Sequence, residues 1–509
     1  MTGAGWGGGY VTDIGYMPGY YGLQSPEMMS VACLLAGVDS DLSAARAGDD
    51  RMHYMELGCG TGLGAMIVAA SNPGWQVTAV DFNPAHVAEA RRFAAEARLP
   101  NIAFIEADLS TFADTAAAAA LAEVDIATLH GVWSWVPAPV QAGIVRLLGA
   151  KMRPGGMVHV SYNALPGWQS GLGLQRVIRE AGMRAGGRSD RQAHAGRELA
   201  VELLAAGATH LKDAALAAAL IPKLADMPSE YLAHEYMNDA WAPCYHADVA
   251  DAMASAKLDW VASSQLLDNF PDLMLTPEQR AIHDRYDDPR MRELIKDVSA
   301  PRTLRHDVFV RGARRLTGEA RDAALGGLTL TLATAPEDFI YELTMPAGQA
   351  SMNDGLYRPV VRALGTRPHR VDELLALPEI EAGRANVPEL VAMLAGSGQA
   401  LLVARPDAPV SAAVQHFNAV AARRLVRQDN VGRGTAAASA RLGAGMSCLG
   451  LELYLLSRIA LAGGLLDPSV YAAELGSQID ESGRERLRDA VARCISSHAG
   501  LWRMAGLIA

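Results

Sequence analysis

Glycines spaced two residues apart follow the first predicted strand, in the sequence ELGCGTGLG that begins at Glu56. Because glycine carries no Cβ, such a turn lets the main chain approach a bound ligand closely. Two kinds of ligand fit the loop. A dinucleotide fingerprint requires G-x-G-x-x-G or A, which Gly60, Gly62 and Ala65 match loosely. An acidic residue followed by G-x-G-x-G, here Glu56, Gly58, Gly60 and Gly62, instead cradles the methionine part of S-adenosylmethionine.

Two carboxylates mark the ends of the next predicted strands. Asp81 ends the second strand and is placed to accept both ribose hydroxyls, a feature that NAD and S-adenosylmethionine sites share. Asp108 follows the third strand, where the adenine amine would lie. The cysteines lack metal-ligand spacing, and no metal is predicted. The predicted cofactor-binding residues are Glu56, Gly58, Cys59, Gly60, Gly62, Asp81, Phe82, Asp108, Leu109 and His130.

Aromatic and amide side chains after the fourth and fifth strands are candidates for the transfer chemistry. His130 and Trp133 lie in HGVWSW, and Tyr162 and Asn163 lie in SYNALPGW. An aromatic face stabilises a sulfonium or an ammonium group, and tyrosine and asparagine can hydrogen-bond around a transferred methyl. Two N-terminal tyrosines join them as candidates to bind or deprotonate the acceptor. The predicted catalytic residues are Tyr20, Tyr21, His130, Trp133, Tyr162 and Asn163.

A parallel sheet is needed to bring these residues together. Between residues 51 and 162, short apolar strands alternate with single helices, which predicts βαβ units and an α/β fold. A helical stretch follows, and two later strands, 258–263 and 306–311, are expected to close the same sheet. Beyond about residue 318 the pattern resembles a winged helix, and the last block, 412–509, is expected to be helical.

These elements divide the chain into six predicted units. They are an N-terminal flap and helix (1–48), a Rossmann-like cofactor-binding domain (49–170), a helical insertion serving as lid or dimer surface (171–243), the closing part of the sheet (244–316), a winged-helix-like domain (317–406) and a C-terminal helical domain (407–509).

Composition limits the class of partner. The 509 residues carry a net charge of −11, and an acidic chain without a basic stripe argues against nucleic acid. The five cysteines are scattered, which predicts reduced thiols in the cytoplasm. The N-terminus has no signal-peptide pattern. Charges at Glu452 and Arg458 interrupt the most apolar late stretch, so no membrane partner is expected.

Together these residues closely resemble the class I S-adenosylmethionine-dependent methyltransferases. The segments GYYGLQSP, ELGCGTGLG, VDFNPAHVAEAR, EADL, TLHGVWSWV, PGGMVHVSYNALPGW, SEYLAHEYMNDAW and NFPDLMLTPEQR resemble the subfamily with a methyltransferase regulatory domain, which includes rickettsial protein-lysine methyltransferases. The resemblance covers about residues 16–315. It implies a Rossmann-like catalytic domain, a helical insertion, a homodimer, S-adenosylmethionine as cofactor and S-adenosylhomocysteine as product. Characterised members methylate lysine side chains of outer-membrane protein.

One position departs from that family. Pro18 stands where the family motif has a histidine, and proline removes a proton acceptor there. Any mechanism that uses that histidine therefore does not apply to this chain.

Three hypotheses for function follow. The first is N-methylation of a side-chain nitrogen, of lysine or an asparagine-type amide, in a protein or ribosomal peptide; the long C-terminal region favours it. The second is a small-molecule methyltransferase whose accessory domains dimerise. The third is a ligand-gated binding protein, which the absence of Lys or Arg between Pro388 and Leu394 disfavours.

Overall fold

A computed structural model describes residues 9–15, 18–40, 42, 51–381, 386–426, 430–476 and 481–509. Within these residues, the centre of the molecule is a seven-stranded sheet of order β3-β2-β1-β4-β5-β7-β6. Its strands are β1 (His53–Leu57), β2 (Gln76–Asp81), β3 (Ile102–Glu106), β4 (Val124–Leu129), β5 (Met152–Asn163), β6 (Leu258–Ser263) and β7 (Leu304–Arg311). The neighbours from β3 to β5 pair in parallel, whereas β7 pairs antiparallel with β5 and with β6. The predicted Rossmann-like sheet, including its two late closing strands, is confirmed.

Helices cover both faces of this sheet and begin at recognisable caps. The side chain of Ser25 accepts a hydrogen bond from the main-chain N–H of Met28, and Pro26 occupies the first turn. The helix after the glycine loop is buried along its whole length. The helices of this part are α1 (Pro26–Leu35), α2 (Leu63–Ser71), α3 (Pro84–Glu96), α4 (Ala116–Ala119) and α5 (Ala138–Lys151).

A helical block with its own apolar core is inserted between β5 and β6. Apolar side chains that include Ile178, Leu211 and Tyr236 are buried together in it. Its helices are α6 (Leu172–Ala185), α7 (Ser189–Ala205), α8 (Thr209–Asp213), α9 (Ala215–Leu220) and α10 (Ser229–Tyr236). Val11 and Ile14 of the N-terminal segment belong to the same core. We call the described residues 9–15 and 18–25 the flap. The rest of the predicted unit 1–48 lies partly outside the described residues, including residues 16 and 17.

A buried ionic network holds β7 in place. The Arg305 guanidinium lies 2.9 Å from carboxylate oxygens of Asp297 and Asp307 and 2.8 Å from Glu293. Removing one member of such a network costs about 3–5 kcal/mol, because a charge is left buried without its partner. The network therefore fixes the start of β7. The helices beside it are α11 (His246–Ala254), α12 (Pro271–Met274), α13 (Pro277–His283) and α14 (Pro289–Ser299).

The next segment, 317–406, combines helices with antiparallel strands. Among its described residues, β8 (Thr329–Leu332) lies between β11 (His369–Arg370) and β12 (Ala400–Val403), and β9 (Glu342–Met345) pairs with β10 (Gly348–Ser351). The helices are α15 (Gly318–Gly326), α16 (Asp354–Leu364), α17 (Val371–Leu375) and α18 (Val387–Gly396). The winged-helix interpretation of this segment stays a prediction.

The C-terminal region departs from the all-helical expectation. Its Gly/Ala-rich stretch forms the hairpin of β13 (Gly434–Ser439) and β14 (Ala444–Leu449), because its small side chains pack tightly against α2 and the C-terminal helices. Tertiary packing here outweighs the helix propensity of alanine. The helices are α19 (Ala412–Leu425), α20 (Gly450–Ala462), α21 (Pro468–Leu475) and α22 (Glu481–Met504). Within the described residues, no helix combines the length and apolar character needed to cross a membrane.

Candidate active site

The glycine loop lies between the carboxyl end of β1 and the start of α2. Gly58, Gly60 and Gly62 all adopt positive φ angles, which disfavour residues with a side chain. A Cβ on Gly58 would lie 2.4 Å from Val132, and one on Gly62 would lie 2.4 Å from Phe104. A Cβ on Gly60 would meet nothing within 4 Å. Gly58 and Gly62 therefore permit close packing of Val132 and Phe104 against the loop. The main chain of Gly60 instead lines a cavity at the carboxyl edge of the sheet.

Asp81 braces this loop from the end of β2. Its Oδ2 accepts a hydrogen bond of 2.7 Å from the N–H of Gly60, and its Oδ1 accepts one of 2.9 Å from the N–H of Asn83. The Nδ1 atom of His86 lies 3.6 Å from Oδ1. The carboxylate therefore keeps a fixed position at the cavity, where it remains able to accept hydroxyl groups.

Glu56 is buried beneath the loop. Burial raises the pKa of its carboxyl to about 8. Hydrogen bonds from the main chain of Ala65 and the side chain of Gln24 lower this pKa, but by less than burial raises it. Its Oε2 atom has no hydrogen-bond partner among the described residues. A buried acceptor without a partner is costly unless a ligand supplies a donor. The ammonium of S-adenosylmethionine is such a donor, so the residues present fit this cofactor.

A single cavity, which we call the cofactor cavity, collects most of the predicted cofactor-binding residues. Those that line it are Glu56, Gly58, Cys59, Gly60, Asp81, Phe82, Asp108, Leu109 and His130. Gly62 does not line it and acts through packing. Tyr10, Gln24, His86 and Trp135 also line it and were not predicted. Burial, with the nearby Asp81 charge, raises the pKa of the Tyr10 hydroxyl, which therefore stays a neutral donor.

The wall of the cofactor cavity includes a stacked pair of rings. The Tyr21 and His130 rings lie 3.6 Å apart between centroids and 26° from parallel. The Nδ1 atom of His130 lies 3.1 Å from the Ser161 hydroxyl. Burial lowers the pKa of His130 to about 3, so its imidazole is neutral at pH 7. The pair therefore presents an aromatic surface without a positive charge.

A second cavity of about 330 Å³, which we call the polar cavity, adjoins the first. Both are lined by Tyr10, Tyr21, His130, Gly131 and Trp135. The polar cavity is further lined by Ser161, Asn163, Trp168, Tyr231, His234, Glu235, Thr303 and Leu304.

Hydrogen-bond acceptors converge in the polar cavity. The side chain of Asn163 hydrogen-bonds to Glu235, and burial raises the pKa of this glutamate to about 7. The Oδ1 atom of Asn163 is buried and has no hydrogen-bond partner among the described residues. Glu235 therefore brings a carboxylate, held by Asn163, to the lining of this cavity, and a carboxylate there can accept hydrogen bonds from a donor, above all from a cation.

Three predicted catalytic residues lie away from both the cofactor cavity and the polar cavity. Tyr162 is wholly buried and its hydroxyl donates to Asp307, because side chains alternate along β5 and only its neighbours face the polar cavity. Trp133 is buried in the core. The Tyr20 hydroxyl accepts a 2.9 Å hydrogen bond from the N–H of Gly445. We therefore remove all three from the candidates for contact with the reacting atoms.

Tyr10 and Glu235 are among the residues lining the site that the sequence did not predict. Tyr10 stands in a glycine-rich start, and Glu235 stands in the helix α10, within the SEYLAHEY segment. The partial burial of Glu235 beside Asn163 depends on how the insertion folds back over the sheet. Within the described part of the chain, no group of Cys, His and carboxylate side chains could hold a metal ion.

Two family models match the chain. One, described as a methyltransferase domain, matches residues 55–158, and one, described as a predicted methyltransferase regulatory domain, matches residues 228–311. The second range includes Glu235, β6 and β7. The segment it names therefore supplies two strands of the central sheet and part of the polar cavity.

Similar proteins and structures agree with these models. An uncharacterized protein of Synechocystis is 29% identical over 369 residues, which cover 72% of this chain and 71% of that one. Trans-aconitate 2-methyltransferase of Methylobacterium radiotolerans is 30% identical over 230 residues, which cover 45% of this chain and 72% of that one. The structure of PKMT2 from Rickettsia typhi with AdoHcy superposes with a TM-score of 0.70 at 16% identity, covering 97% of this chain and 99% of that one.

Proposed function

Because this chain belongs to the class I S-adenosylmethionine-dependent methyltransferases with a methyltransferase regulatory domain, we propose that it methylates a side-chain amine of a polypeptide. S-adenosylmethionine is the cofactor and S-adenosylhomocysteine is the product. One observation carries the proposal. Glu235 and its hydrogen-bond partner Asn163 line the cavity that shares the His130–Tyr21 wall with the cofactor cavity, and both side chains carry oxygens that accept hydrogen bonds from a cation. A lysine side chain matches that chemistry.

Glu235 and Asn163 prepare the amine for transfer. When bound, the cofactor supplies a methyl group on a cationic sulfur. The amine nitrogen attacks the methyl carbon in line with the C–S bond, and the sulfur leaves. A lysine with a pKa of about 10.4 enters as ammonium and must first lose a proton. Glu235, whose pKa lies near 7, takes that proton, while Asn163 Oδ1 accepts a second N–H and orients the nitrogen. A new C–N bond then replaces the C–S bond.

The neutral state of His130 supports a cationic acceptor. An imidazolium at this wall would repel both the sulfonium and the entering ammonium. Its low pKa removes that charge at physiological pH. The side chain of Pro18, which lines the cofactor cavity, cannot accept a proton, so Glu235 is the residue that deprotonates the acceptor ammonium.

A carboxylate acceptor is the second class of substrate, since one relative is by name a trans-aconitate methyltransferase. The Glu235 carboxylate argues against it, because two like charges in a partly buried cavity repel each other. The resemblance of the sequence to rickettsial protein-lysine methyltransferases instead favours a protein lysine.

The proposal is tested by finding where the methyl group goes. The protein is incubated with S-adenosylmethionine bearing a deuterated methyl, together with either the polypeptide or the metabolite fraction of a cell extract. Mass spectrometry with fragmentation is expected to place the label on a lysine nitrogen of a polypeptide. Label confined to metabolites, or on a carboxylate, would overturn the proposal.

A further inference from the structure

A third cavity, which we call the hairpin cavity, lies where three distant parts of the chain meet. Its volume is about 600 Å³. The flap contributes Tyr20 and Tyr21, the helix α10 contributes Glu230, Tyr231 and His234, and the C-terminal hairpin contributes residues from both strands. The C-terminal region therefore helps to enclose space next to the site.

The hairpin cavity adjoins the polar cavity. Tyr21, Tyr231 and His234 line both. A long substrate side chain that extends between Tyr21, Tyr231 and His234 brings its amine to Glu235 in the polar cavity. The main chain of that substrate residue then lies on the opposite side of these three residues. For a polypeptide substrate, that far side is the hairpin cavity.

The edge of β14 that meets this cavity is suited to main-chain pairing. The N–H of Gly445 donates to the Tyr20 hydroxyl, and the N–H of Leu449 donates to the Glu452 side chain, so both point away from β13. Residues two apart on a strand direct their main-chain groups to the same edge. Ser447 lies two residues from each of them, so its N–H and C=O also point away from β13, toward the outer edge of β14. Ser447 lines the cavity as well.

Polar side chains also lie beside this edge. The Oγ1 atom of Thr435 is buried, and it has no hydrogen-bond partner among the described residues. Ser447 and Tyr231 are exposed at the cavity. An extended peptide carries alternating N–H and C=O groups, which are the hydrogen-bond partners that the main-chain groups of a strand edge require.

We infer that the polypeptide substrate binds as an extended segment paired with the outer edge of β14 at Ser447, with the methylated side chain passing between Tyr21 and Tyr231 into the polar cavity. This inference rests on the proposed function and adds the substrate's conformation to it. It also gives the C-terminal region a part in substrate binding.

Ser447→Pro tests the pairing, because proline removes the outward N–H and leaves the hydrogen bonds between β13 and β14 intact. Ser447→Ala, which keeps the N–H, is the matched control. Both variants are compared on an acceptor peptide, with five residues on each side of the mapped lysine, and on Nα-acetyl-lysine methylamide. AdoHcy binding verifies that each variant is folded.

The proline variant is expected to lower the ratio of kcat/KM for the peptide over the single-residue probe about tenfold relative to the alanine variant, as the loss of one or two hydrogen bonds would. An equal ratio in both variants, or an equal loss on both probes, would overturn the inference.

A second measurement uses the unaltered protein, so it does not depend on the folding of the proline variant. The same peptide is N-methylated at one main-chain amide at a time. Loss of kcat/KM at alternate positions on one side of the lysine supports strand pairing, and insensitivity at every position contradicts it. If the unaltered protein methylates neither the peptide nor any other polypeptide, the proposed function itself has failed.

Discussion

The cofactor cavity and the polar cavity share a wall but are built differently. The cofactor cavity takes most of its residues from the ends of consecutive parallel strands, such as Glu56, Asp81 and Asp108. The polar cavity takes Asn163 from the sheet, Glu235 from the insertion and Tyr21 from the flap. One site is thus set by a local repeat of strand and turn, and the other by the packing of distant segments. Cofactor binding and acceptor binding should therefore fail separately.

The largest separation is expected at Asp81. Asp81→Ala removes the brace of the glycine loop and the acceptor for the ribose hydroxyls, so AdoHcy affinity should fall about 1,000-fold, equivalent to about 4.1 kcal/mol. Isothermal titration calorimetry measures this loss, and circular dichroism checks the fold. Unchanged affinity would contradict the placement of the ribose at Asp81.

Glu235→Gln should affect the acceptor side instead. Loss of a general base of this kind lowers kcat about 100-fold or more. In the unaltered protein kcat/KM should rise with pH through about 7, because Glu235 must be deprotonated to bind ammonium and take its proton. The variant should lose that step in the pH profile. A step at pH 7 that persists in Glu235→Gln would assign it to another group.

Tyr21 should couple the two cavities, because it lines both. Tyr21→Ala removes a stacked ring pair worth about 0.5–1.5 kcal/mol, so AdoHcy affinity and acceptor kcat/KM should each fall about three- to tenfold. Tyr21→Phe keeps the ring and serves as the control. If the phenylalanine variant loses as much as the alanine variant, the hydroxyl rather than the stack is the essential part.

The smallest effect concerns the protonation of Glu56. With a pKa near 8 this carboxyl is mostly protonated at pH 7 in the cofactor-free protein. The ammonium of AdoHcy favours the carboxylate, so binding should release up to about one proton. Calorimetry at pH 7 in two buffers of different ionisation enthalpy measures the release. Glu56→Gln should abolish it, and equal binding enthalpies in both buffers with the unaltered protein would place the ammonium elsewhere.

The same contrast explains what the sequence could predict. The glycine loop and the carboxylates after β2 and β3 follow strands directly, and the order of parallel strands brings strand ends together without knowledge of the side-chain packing. The parallel part of the central sheet was predictable for that reason, whereas the late strands at 258–263 and 306–311 were predicted from their own residue patterns.

The acceptor side carried no comparable signal. Glu235 is one glutamate of an amphipathic helix, and only the fold shows that it lies half-buried beside Asn163. Along HGVWSW the sequence favoured Trp133, yet the turn directs Trp135 into the cavity. The Gly/Ala-rich stretch became a hairpin because small residues fit against α2, which local propensity does not report.

The central claim is that the acceptor amine is bound and deprotonated on the Glu235 side of the His130–Tyr21 wall, separately from cofactor binding. Its most direct test is one pair of constants in Glu235→Gln, the Kd for AdoHcy and kcat/KM for the mapped acceptor. The account predicts a Kd within about twofold of the unaltered protein and a kcat/KM lower by about 100-fold. An unchanged kcat/KM, or a Kd that weakens in parallel, would contradict it.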